Sequence, residues 1–207
     1  MNLLIVSATK FEIEPFLREN IEADILITGI GIPSIAFHLT KKLLQKNYDL
    51  VIQAGIAGTF NDRSKLSEVV AIKEDTFADL GIEENGNFYS LFEKEFIGEN
   101  DFPYTDSWLV NNSAILKEID LPIAKGITVN KIGDDHLQNK MINEKFSADV
   151  ESMEGAAFHY VCLQQKINFL QLRSISNLVG ERDKSKWELK RAIEKLNEEL
   201  LKIIEKL

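Results

Sequence analysis

The sequence predicts an α/β fold in which all 207 residues form one domain. Three observations lead to this prediction. Short apolar runs that end in turn signals alternate with segments of helical periodicity, as strands and helices do in α/β proteins. Hydrophobic residues make up 44% of the chain, which is enough for one substantial core. The sequence contains no internal repeat and no linker-like segment, so a second domain is not expected.

The amino-terminal half alternates strands and helices. Residues 3–7, 24–28 and 50–54 are apolar runs followed by polar or glycine-containing turns, and they predict three buried strands. Helices are predicted over residues 11–18 and 33–45, where Pro33 suits the first helical turn. Residues 69–77 predict a fourth strand. Residues 79–107 carry Gly, Asn, Phe and Glu without a clear period, which predicts a long loop with a role in a site or an interface.

The carboxyl-terminal half continues the alternation. Strands are predicted over residues 125–130, 148–152 and 169–176, and helices over residues 138–146 and 153–165. A last helix is predicted over residues 186–207, because apolar residues recur there at helical spacing. Its single apolar face predicts packing against the core rather than a surface for a partner.

The composition excludes several functional classes. With 24 Lys and Arg against 33 Asp and Glu, the net charge is -9, which disfavours binding to nucleic acid. The single Cys162 rules out an internal disulfide, and its apolar helical surroundings predict a buried structural thiol. The first residues lack a basic leader, and no apolar run approaches the roughly twenty residues that span a bilayer. A cytoplasmic protein is therefore expected.

Two polar segments lie at the ends of the strands predicted over residues 148–152 and 169–176. Glu154 in the first precedes Gly155-Ala156-Ala157, small residues that allow a ligand to approach closely. An ionised carboxylate there can accept hydrogen bonds from both hydroxyls of a ribose. The alternative is a carboxylate that only stabilises a helix N-terminus, by a few tenths to about one kcal/mol. The second segment ends in Ser176 and Asn177, whose polar groups can contact the edge of a purine.

Together the two segments resemble the nucleoside phosphorylase and nucleosidase superfamily, and the resemblance covers nearly the whole chain. It implies a single-domain, three-layer α/β/α nucleoside phosphorylase-like fold with a central mixed sheet. In that superfamily a Met-Glu pair holds the ribose hydroxyls, and the matching residues here are Met153 and Glu154. Glu151, just before them, is also expected to help at the sugar.

The resemblance further identifies a residue that activates water. Related nucleosidases carry an Ala-x-x-x-Glu segment after the first strand, which Ala8 and Glu12 match. A carboxylate that is ionised at neutral pH can orient a water molecule or take its proton. Glu14 is the competing candidate, and the simpler alternative for Glu12 is a solvated or capping side chain.

Asn177 indicates which purine base the substrate carries. In nucleosidases that cut methylthioadenosine the corresponding residue is an Asp, which delivers a proton to N7 and contacts the 6-amino group. An amide can instead donate to O6 of a 6-oxopurine, where an ionised Asp would leave buried acceptors unpaired at about 1–3 kcal/mol. Hypoxanthine or guanine is therefore expected in preference to adenine. The alternative is an Asn that only ends the strand in a turn.

The glycine-rich segments bear on the nucleophile and on cofactors. Phosphorylases of the superfamily hold inorganic phosphate with an Arg and a Ser, where this chain has Gln53 and Ile56. Water is therefore the expected nucleophile, with Ala57 and Gly58 contacting the substrate. The Gly-x-Gly at residues 29–31 is only part of a dinucleotide fingerprint, so no cofactor is expected.

Four segments are similar to futalosine hydrolases in particular: residues 77–81, 128–130, 150–157 and 176–187. Futalosine is an inosine analogue with a carboxyphenyl ketone on the 5′ side, so its base agrees with the separate argument from Asn177. Its hydrolysis to hypoxanthine and dehypoxanthine futalosine is a step in menaquinone biosynthesis. Arg182 or Lys184 is the candidate partner of the substrate carboxylate, unless both belong to a solvated charge cluster.

Further expectations concern the contact with the purine, the oligomeric state, metal ions and the rival functions. Ile132, or an aromatic residue between Phe77 and Phe102, is expected to pack against the purine. The superfamily implies a homo-oligomer, and residues 88–104 are the candidate interface. No metal site is expected, and His136 is predicted to be an exposed loop residue. The rival functions are a methylthioadenosine/adenosylhomocysteine nucleosidase, a purine nucleoside phosphorylase and a non-catalytic nucleoside-binding protein.

Overall fold

The computed structural model describes residues 1–19, 21–60 and 65–207, which contain ten β-strands and five α-helices. The strands are β1 (Leu3–Ser7), β2 (Asp24–Ile27), β3 (Leu50–Thr59), β4 (Val69–Asp75), β5 (Gly81–Glu84), β6 (Asn87–Ser90), β7 (Leu109–Val110), β8 (Ile123–Thr128), β9 (Val150–Ser152) and β10 (Phe169–Leu178). The α-helices are α1 (Glu14–Leu17), α2 (Ile32–Leu43), α3 (His136–Phe146), α4 (Gly155–Gln164) and α5 (Leu189–Lys206). Short 3₁₀ helices cover Phe11–Ile13, Ala114–Lys117 and Lys184–Lys186.

Eight strands form one mixed sheet in the order β10-β4-β8-β9-β3-β1-β2, with β7 beside β4. Strand β3 is parallel to β1 on one side and to β10 on the other, whereas β10 is antiparallel to β4. Because β10 pairs with both β3 and β4, the strands β3, β10, β4, β8 and β9 close into a ring. The parallel strands β1, β3 and β10 therefore end at the same edge of the sheet.

Both faces of the sheet are covered by helices. Leu4 and Val6 of β1 pack in one apolar cluster with Phe158 of α4. Ile5 packs in a second cluster with Leu196 of α5. Because successive strand residues point to opposite faces, β1 is buried on both sides, which explains its continuously apolar sequence. The predicted three-layer α/β/α fold with a central mixed sheet is confirmed.

The segment predicted as a loop over residues 79–107 contains a β-hairpin, so that prediction is wrong in part. β5 and β6 pair from Gly81 opposite Ser90 to Glu84 opposite Asn87. The two residues between them, Asn85 and Gly86, have φ angles of 53° and 75°. Positive φ at both positions defines the tight hairpin turn for which Asn-Gly is the preferred pair. The turn signal is present in the sequence, but the strands are short and polar, so hydrophobic periodicity does not find them.

Several boundaries also move. β3 and β10 extend past their apolar runs to Thr59 and Leu178, because the polar and glycine residues there still pair across the two strands. The helix predicted from residue 153 begins at Gly155, and the last helix begins at Leu189 rather than at residue 186. Cys162 is fully buried, as predicted. None of the helices in the described ranges is long and apolar enough to cross a membrane.

Candidate active site

A cavity of about 290 Å³ lies where β1, β3 and β10 end. Ligands in sheets with parallel strands bind at the carboxyl ends of those strands. All the residues assigned to the site from the sequence line this cavity: Glu12, Ala57, Gly58, Glu151, Met153, Glu154, Ser176, Asn177 and Arg182. The competing Glu14 is exposed and pairs with Arg18 instead.

The carboxylate of Glu12 is fixed by four donors. Glu12 is buried in the 3₁₀ helix that follows β1. Its Oε2 accepts from the amide and the hydroxyl of Thr9, both at 2.9 Å, and from Ser7 Oγ at 3.3 Å. Its Oε1 accepts from the Ile56 amide at 3.1 Å. The side chain is therefore held in one orientation before a substrate arrives.

The backbone around Glu12 is held by α5. Asn197 Nδ2 donates to the carbonyl of Glu12 at 2.9 Å, and Asn197 Oδ1 accepts from the Phe16 amide at 3.0 Å. Asn197 is fully buried beside Leu196, on the apolar face of its helix. A polar residue on that face is the sequence signal for this contact, but its partners are 181 and 185 positions away.

Glu154 directly precedes α4 and points to the same region as Glu12. Its Oε1 accepts from the Gly31 amide at 2.9 Å, and its Oε2 lies 3.8 Å from Arg173 Nη1. Gly31 has a φ of 93°, a conformation that favours glycine. Burial raises the pKa of Glu154, while the Arg173 guanidinium and the Gly31 amide act in the opposite direction.

Arg173 is a candidate that the sequence interpretation misses. It is buried in the middle of β10, where a charged residue needs a partner. The neighbouring Gly55 of β3 makes room for it: a Cβ at Gly55 would overlap Arg173 Nη1 and lie 3.0 Å from Glu12 Oε1. Glu12 and Arg173 therefore meet at Gly55, and Arg173 connects this place to Glu154.

Asn177 lies near the end of β10, where it pairs with Gly58 of β3. Asn177 Oδ1 accepts from Ser176 Oγ at 2.7 Å, and Asn177 Nδ2 donates to the Leu178 carbonyl at 2.8 Å. Ser176 Oγ also lies 3.2 Å from the Ala57 carbonyl. An amide nitrogen carries two hydrogens, so one of them is left for a ligand.

The exposed rim of the cavity carries a cation and an aromatic ring. Arg182 is exposed, and its Cζ lies 5.7 Å from the centroid of the Trp187 ring. Lys184, the other candidate, is not among the cavity-lining residues that the structure describes. Ile132 lines the cavity, whereas the described aromatic residues between Phe77 and Phe102 do not. Of the two alternatives for the purine contact, the structure therefore supports Ile132.

A buried polar network holds the start of α4. Thr128 Oγ1 accepts from the Ala156 amide at 2.7 Å and donates to Asp75 Oδ1 at 2.9 Å. Gln171 Nε2 donates to Asp75 Oδ2 at 3.2 Å. Burial raises the pKa of Asp75 to about 7 in spite of these hydrogen bonds. Because α4 begins directly after Glu154, the network also fixes the position of that carboxylate.

None of the three histidines lines the cavity. His136 is exposed at the start of α3, whereas His159 is buried and burial lowers its pKa to about 4. Within residues 1–19, 21–60 and 65–207, no group of three or more His, Cys, Asp and Glu side chains has a geometry that can hold a metal ion.

A family model described as the phosphorylase superfamily matches residues 5–207. The chain belongs to the phosphorylase superfamily. Within this superfamily it is 31% identical to a futalosine hydrolase of Thermus thermophilus over 175 residues, 83% of this chain and 76% of the relative. It is 28% identical to a 5′-methylthioadenosine/S-adenosylhomocysteine nucleosidase of Buchnera aphidicola over 196 residues, 90% of this chain and 80% of the relative.

Solved structures of the superfamily share the fold. The native structure of futalosine hydrolase of Helicobacter pylori has a TM-score of 0.82 at 17% identity and covers 100% of this chain and 98% of that chain. The predicted superfamily, the similarity to futalosine hydrolases and the prediction of an enzyme are confirmed. Identities of 31% and 28% are too similar to separate the two named substrate classes, so that distinction depends on the site.

Proposed function

We propose that this chain hydrolyses the N-ribosyl bond of a 6-oxopurine nucleoside, and that its substrate is futalosine. The observation that carries the proposal is a single cavity that joins the buried carboxylates of Glu12 and Glu154 to the amide of Asn177. Glu12 lies at Gly55 and Glu154 lies beside the neighbouring Arg173, whereas Asn177 pairs with Gly58, three residues or about 10 Å further along β3. This separation suits a ribose at one end and the edge of a purine at the other.

Glu154, Glu12 and Asn177 each have a separate role in the reaction. Glu154 accepts hydrogen bonds from the ribose hydroxyls, and its negative charge favours the oxocarbenium-like transition state. Glu12 orients a water molecule and takes its proton as the water oxygen bonds to C1′. The electron pair of the broken N-ribosyl bond goes to the purine, where Asn177 donates a hydrogen bond to O6. Met153, Ala57 and Ser176 complete the walls of the cavity.

The charges around Gly55 favour water over phosphate. Arg173 is the cation of this region, and the two carboxylates of Glu12 and Glu154 outnumber it. A phosphate ion would meet net negative charge in a buried place, where electrostatic repulsion is strong. Ile56 lines the cavity where phosphorylases of the superfamily are expected to carry a polar contact.

The rim supports a substrate with an anionic aromatic extension. Arg182 is exposed, and no ion pair to it is found among the described residues. Its guanidinium can pair with the carboxylate of the substrate, while the neighbouring Trp187 packs against the phenyl ring. Arg182→Gln is expected to raise KM for futalosine about fivefold and to leave inosine unaffected, because an exposed ion pair contributes about 1 kcal/mol. Lys184→Gln is the matched control, and equal effects of the two variants would contradict the assignment.

The first test of the proposal is purine release from futalosine, inosine and methylthioadenosine in phosphate-free buffer, followed by chromatography. Hypoxanthine from futalosine supports the proposal. Adenine from methylthioadenosine would instead favour the second candidate, a methylthioadenosine/adenosylhomocysteine nucleosidase, which the Buchnera relative favours. Release that requires phosphate would indicate a phosphorylase, and no release under either condition would indicate a nucleoside-binding protein.

The remaining expectations from the superfamily belong to the same proposal. The enzyme would work in the cytoplasm as one 207-residue domain, without a cofactor and as a homo-oligomer. Phe96 and Phe102, in the predicted interface segment, are 68% and 63% exposed in the single chain. Exposed aromatic side chains of this kind are expected where a second subunit covers the surface.

A further inference from the structure

The side-chain amide of Gln53 is buried, and neither its oxygen nor its nitrogen has a hydrogen-bond partner among the described residues. Gln53 is 1% exposed in β3, and it is not one of the described residues that line the cavity. A buried amide without a partner is costly, so a group inside the protein is expected to use it.

Arg173 carries the complementary groups. Its Nη1 lies near Glu154, but its Nε and Nη2 are buried and have no partner within the described part of the chain. The side-chain carbonyl of Gln171, two residues earlier in β10, is also buried and unpartnered there. Guanidinium nitrogens only donate hydrogen bonds, whereas amide oxygens accept them. The unused donors of Arg173 therefore match the unused acceptors of Gln53 and Gln171.

The register of the sheet puts these three side chains together. Gln53 pairs with Gln171, and Gly55 pairs with Arg173, on the adjacent parallel strands β3 and β10. Residues two apart in a strand point to the same face at about 7 Å, and paired residues lie about 4.8 Å apart. Arg173 reaches across to β3, since a Cβ at Gly55 would overlap its Nη1. Either glutamine side chain, with one bridging water molecule, can therefore span the distance to the guanidinium.

The neutrality of the two glutamines preserves the charge of Arg173. Glu12, Glu154, Asp75 and His159 are the titratable groups that face the guanidinium. Burial raises the pKa of Glu154, and the charge of Arg173 is the largest effect that lowers it. A neutral acceptor satisfies an N–H group without neutralising the cation, so the positive charge stays available to Glu154. A guanidinium that turned away would leave this buried carboxylate without its cation.

We propose that Gln53 and Gln171 hold the Arg173 guanidinium beside Glu154 through ordered water molecules, and so act as positioning residues for the carboxylate that binds the ribose. This role rests on the proposed function, in which Glu154 stabilises a developing cation. Gln171 also donates to Asp75, at 3.2 Å. Gln53 is therefore the more direct of the two to test.

The first measurement is the exchange of the Arg173 Nε–H group with solvent, by NMR of the isotopically labelled full chain and with Arg173→Lys for assignment. Gln53→Leu fills a similar space without an acceptor, so exchange is expected to become about tenfold faster or more. Gln53→Asn keeps the amide and is expected to restore most of the protection through water. Ser174→Ala is the matched control, because Ser174 has a buried hydroxyl without a described partner but points to the opposite face of β10.

The second measurement is the pH dependence of kcat/KM for hypoxanthine release from futalosine, which reports the pKa values of the free enzyme. Gln53→Leu is expected to lower kcat/KM about tenfold at neutral pH and to move the acidic limb to higher pH. The reason is that a displaced Arg173 no longer lowers the pKa of Glu154. A merely structural role for Gln53 would change the free energy of unfolding and leave the acidic limb in place.

Faster exchange and a shifted acidic limb in Gln53→Leu, with wild-type behaviour in Ser174→Ala, support the proposal. Wild-type exchange in Gln53→Leu overturns it and leaves the proposed function intact, and faster exchange with an unchanged acidic limb overturns the link to Glu154. Gln53→Met replaces Gln53→Leu if the latter does not fold, because methionine adapts to irregular cores. Wild-type protein that releases no purine overturns the proposed function, and the exchange rates alone then decide whether Gln53 holds Arg173.

Discussion

Asn197, which does not line the cavity, offers the sharpest test of how α5 supports the site. Its side chain makes three hydrogen bonds, to Phe16 N at 3.0 Å, to Glu12 O at 2.9 Å and to Ile193 O at 2.7 Å. Asn197→Leu suits the apolar face of α5 but removes all three. The Ile193 carbonyl lies four residues earlier in the helix and keeps its backbone partner. The buried groups of Phe16 and Glu12 lose theirs, at about 1–3 kcal/mol each.

The larger apolar side chain offsets part of this cost by about 1 kcal/mol. We therefore expect Asn197→Leu to lower the free energy of unfolding by about 3 kcal/mol, measured by urea titration. Loss of the anchor also lets the Glu12 segment move relative to Glu154, so kcat is expected to fall about tenfold. Base selectivity should stay unchanged, because Asn177 lies on β10 and is held separately.

Leu200→Ala is the matched control for this experiment. Leu200 is fully buried on the same face of α5, and its truncation costs about 2–5 kcal/mol without removing a hydrogen bond to the Glu12 segment. Leu200→Ala is therefore expected to lower stability and to leave kcat unaltered. If Asn197→Leu also lowers stability and leaves kcat unaltered, the positioning argument is refuted. Unchanged stability would refute the energetic reasoning itself.

Two further predictions concern residues that hold the carboxylates. Gly55→Ala puts a methyl group against Arg173 Nη1 and Glu12 Oε1. We therefore expect kcat to fall about a hundredfold while the circular dichroism spectrum stays native. Turnover within about twofold of wild type would contradict this prediction. The pKa of Asp75 rises from 3.8 to about 7, so the folded chain keeps a proton that the unfolded chain releases, and stability falls as the pH rises through this interval. Asp75→Asn should remove this part of the fall in the free energy of unfolding, which is at most about 4 kcal/mol. The measurement is the urea midpoint of both proteins as a function of pH. If the two curves run parallel, the prediction is wrong.

Local patterns predicted most of the fold and only part of the site. β1 was predictable because its burial on both faces leaves a continuous apolar run, and the cavity-lining residues were predictable because they lie in short segments that resemble a known superfamily. Arg173 and Asn197 were not, because each is a polar residue in an apolar pattern whose partners come from distant parts of the chain. The hairpin around Asn85 was missed for the opposite reason, since its strands are polar and only its turn carries a signal.

The charges of Glu12, Glu154 and Arg173 connect the fold to the choice of nucleophile. Closing the ring of strands brings Arg173 on β10 beside Gly55 on β3, and the 3₁₀ helix after β1 adds Glu12. Arg173 neutralises only one of the two carboxylates, so the region keeps about one negative charge in a place of low dielectric. That charge stabilises a developing oxocarbenium ion and repels an anionic nucleophile at the same time. Hydrolysis rather than phosphorolysis would then follow from the net charge of the site.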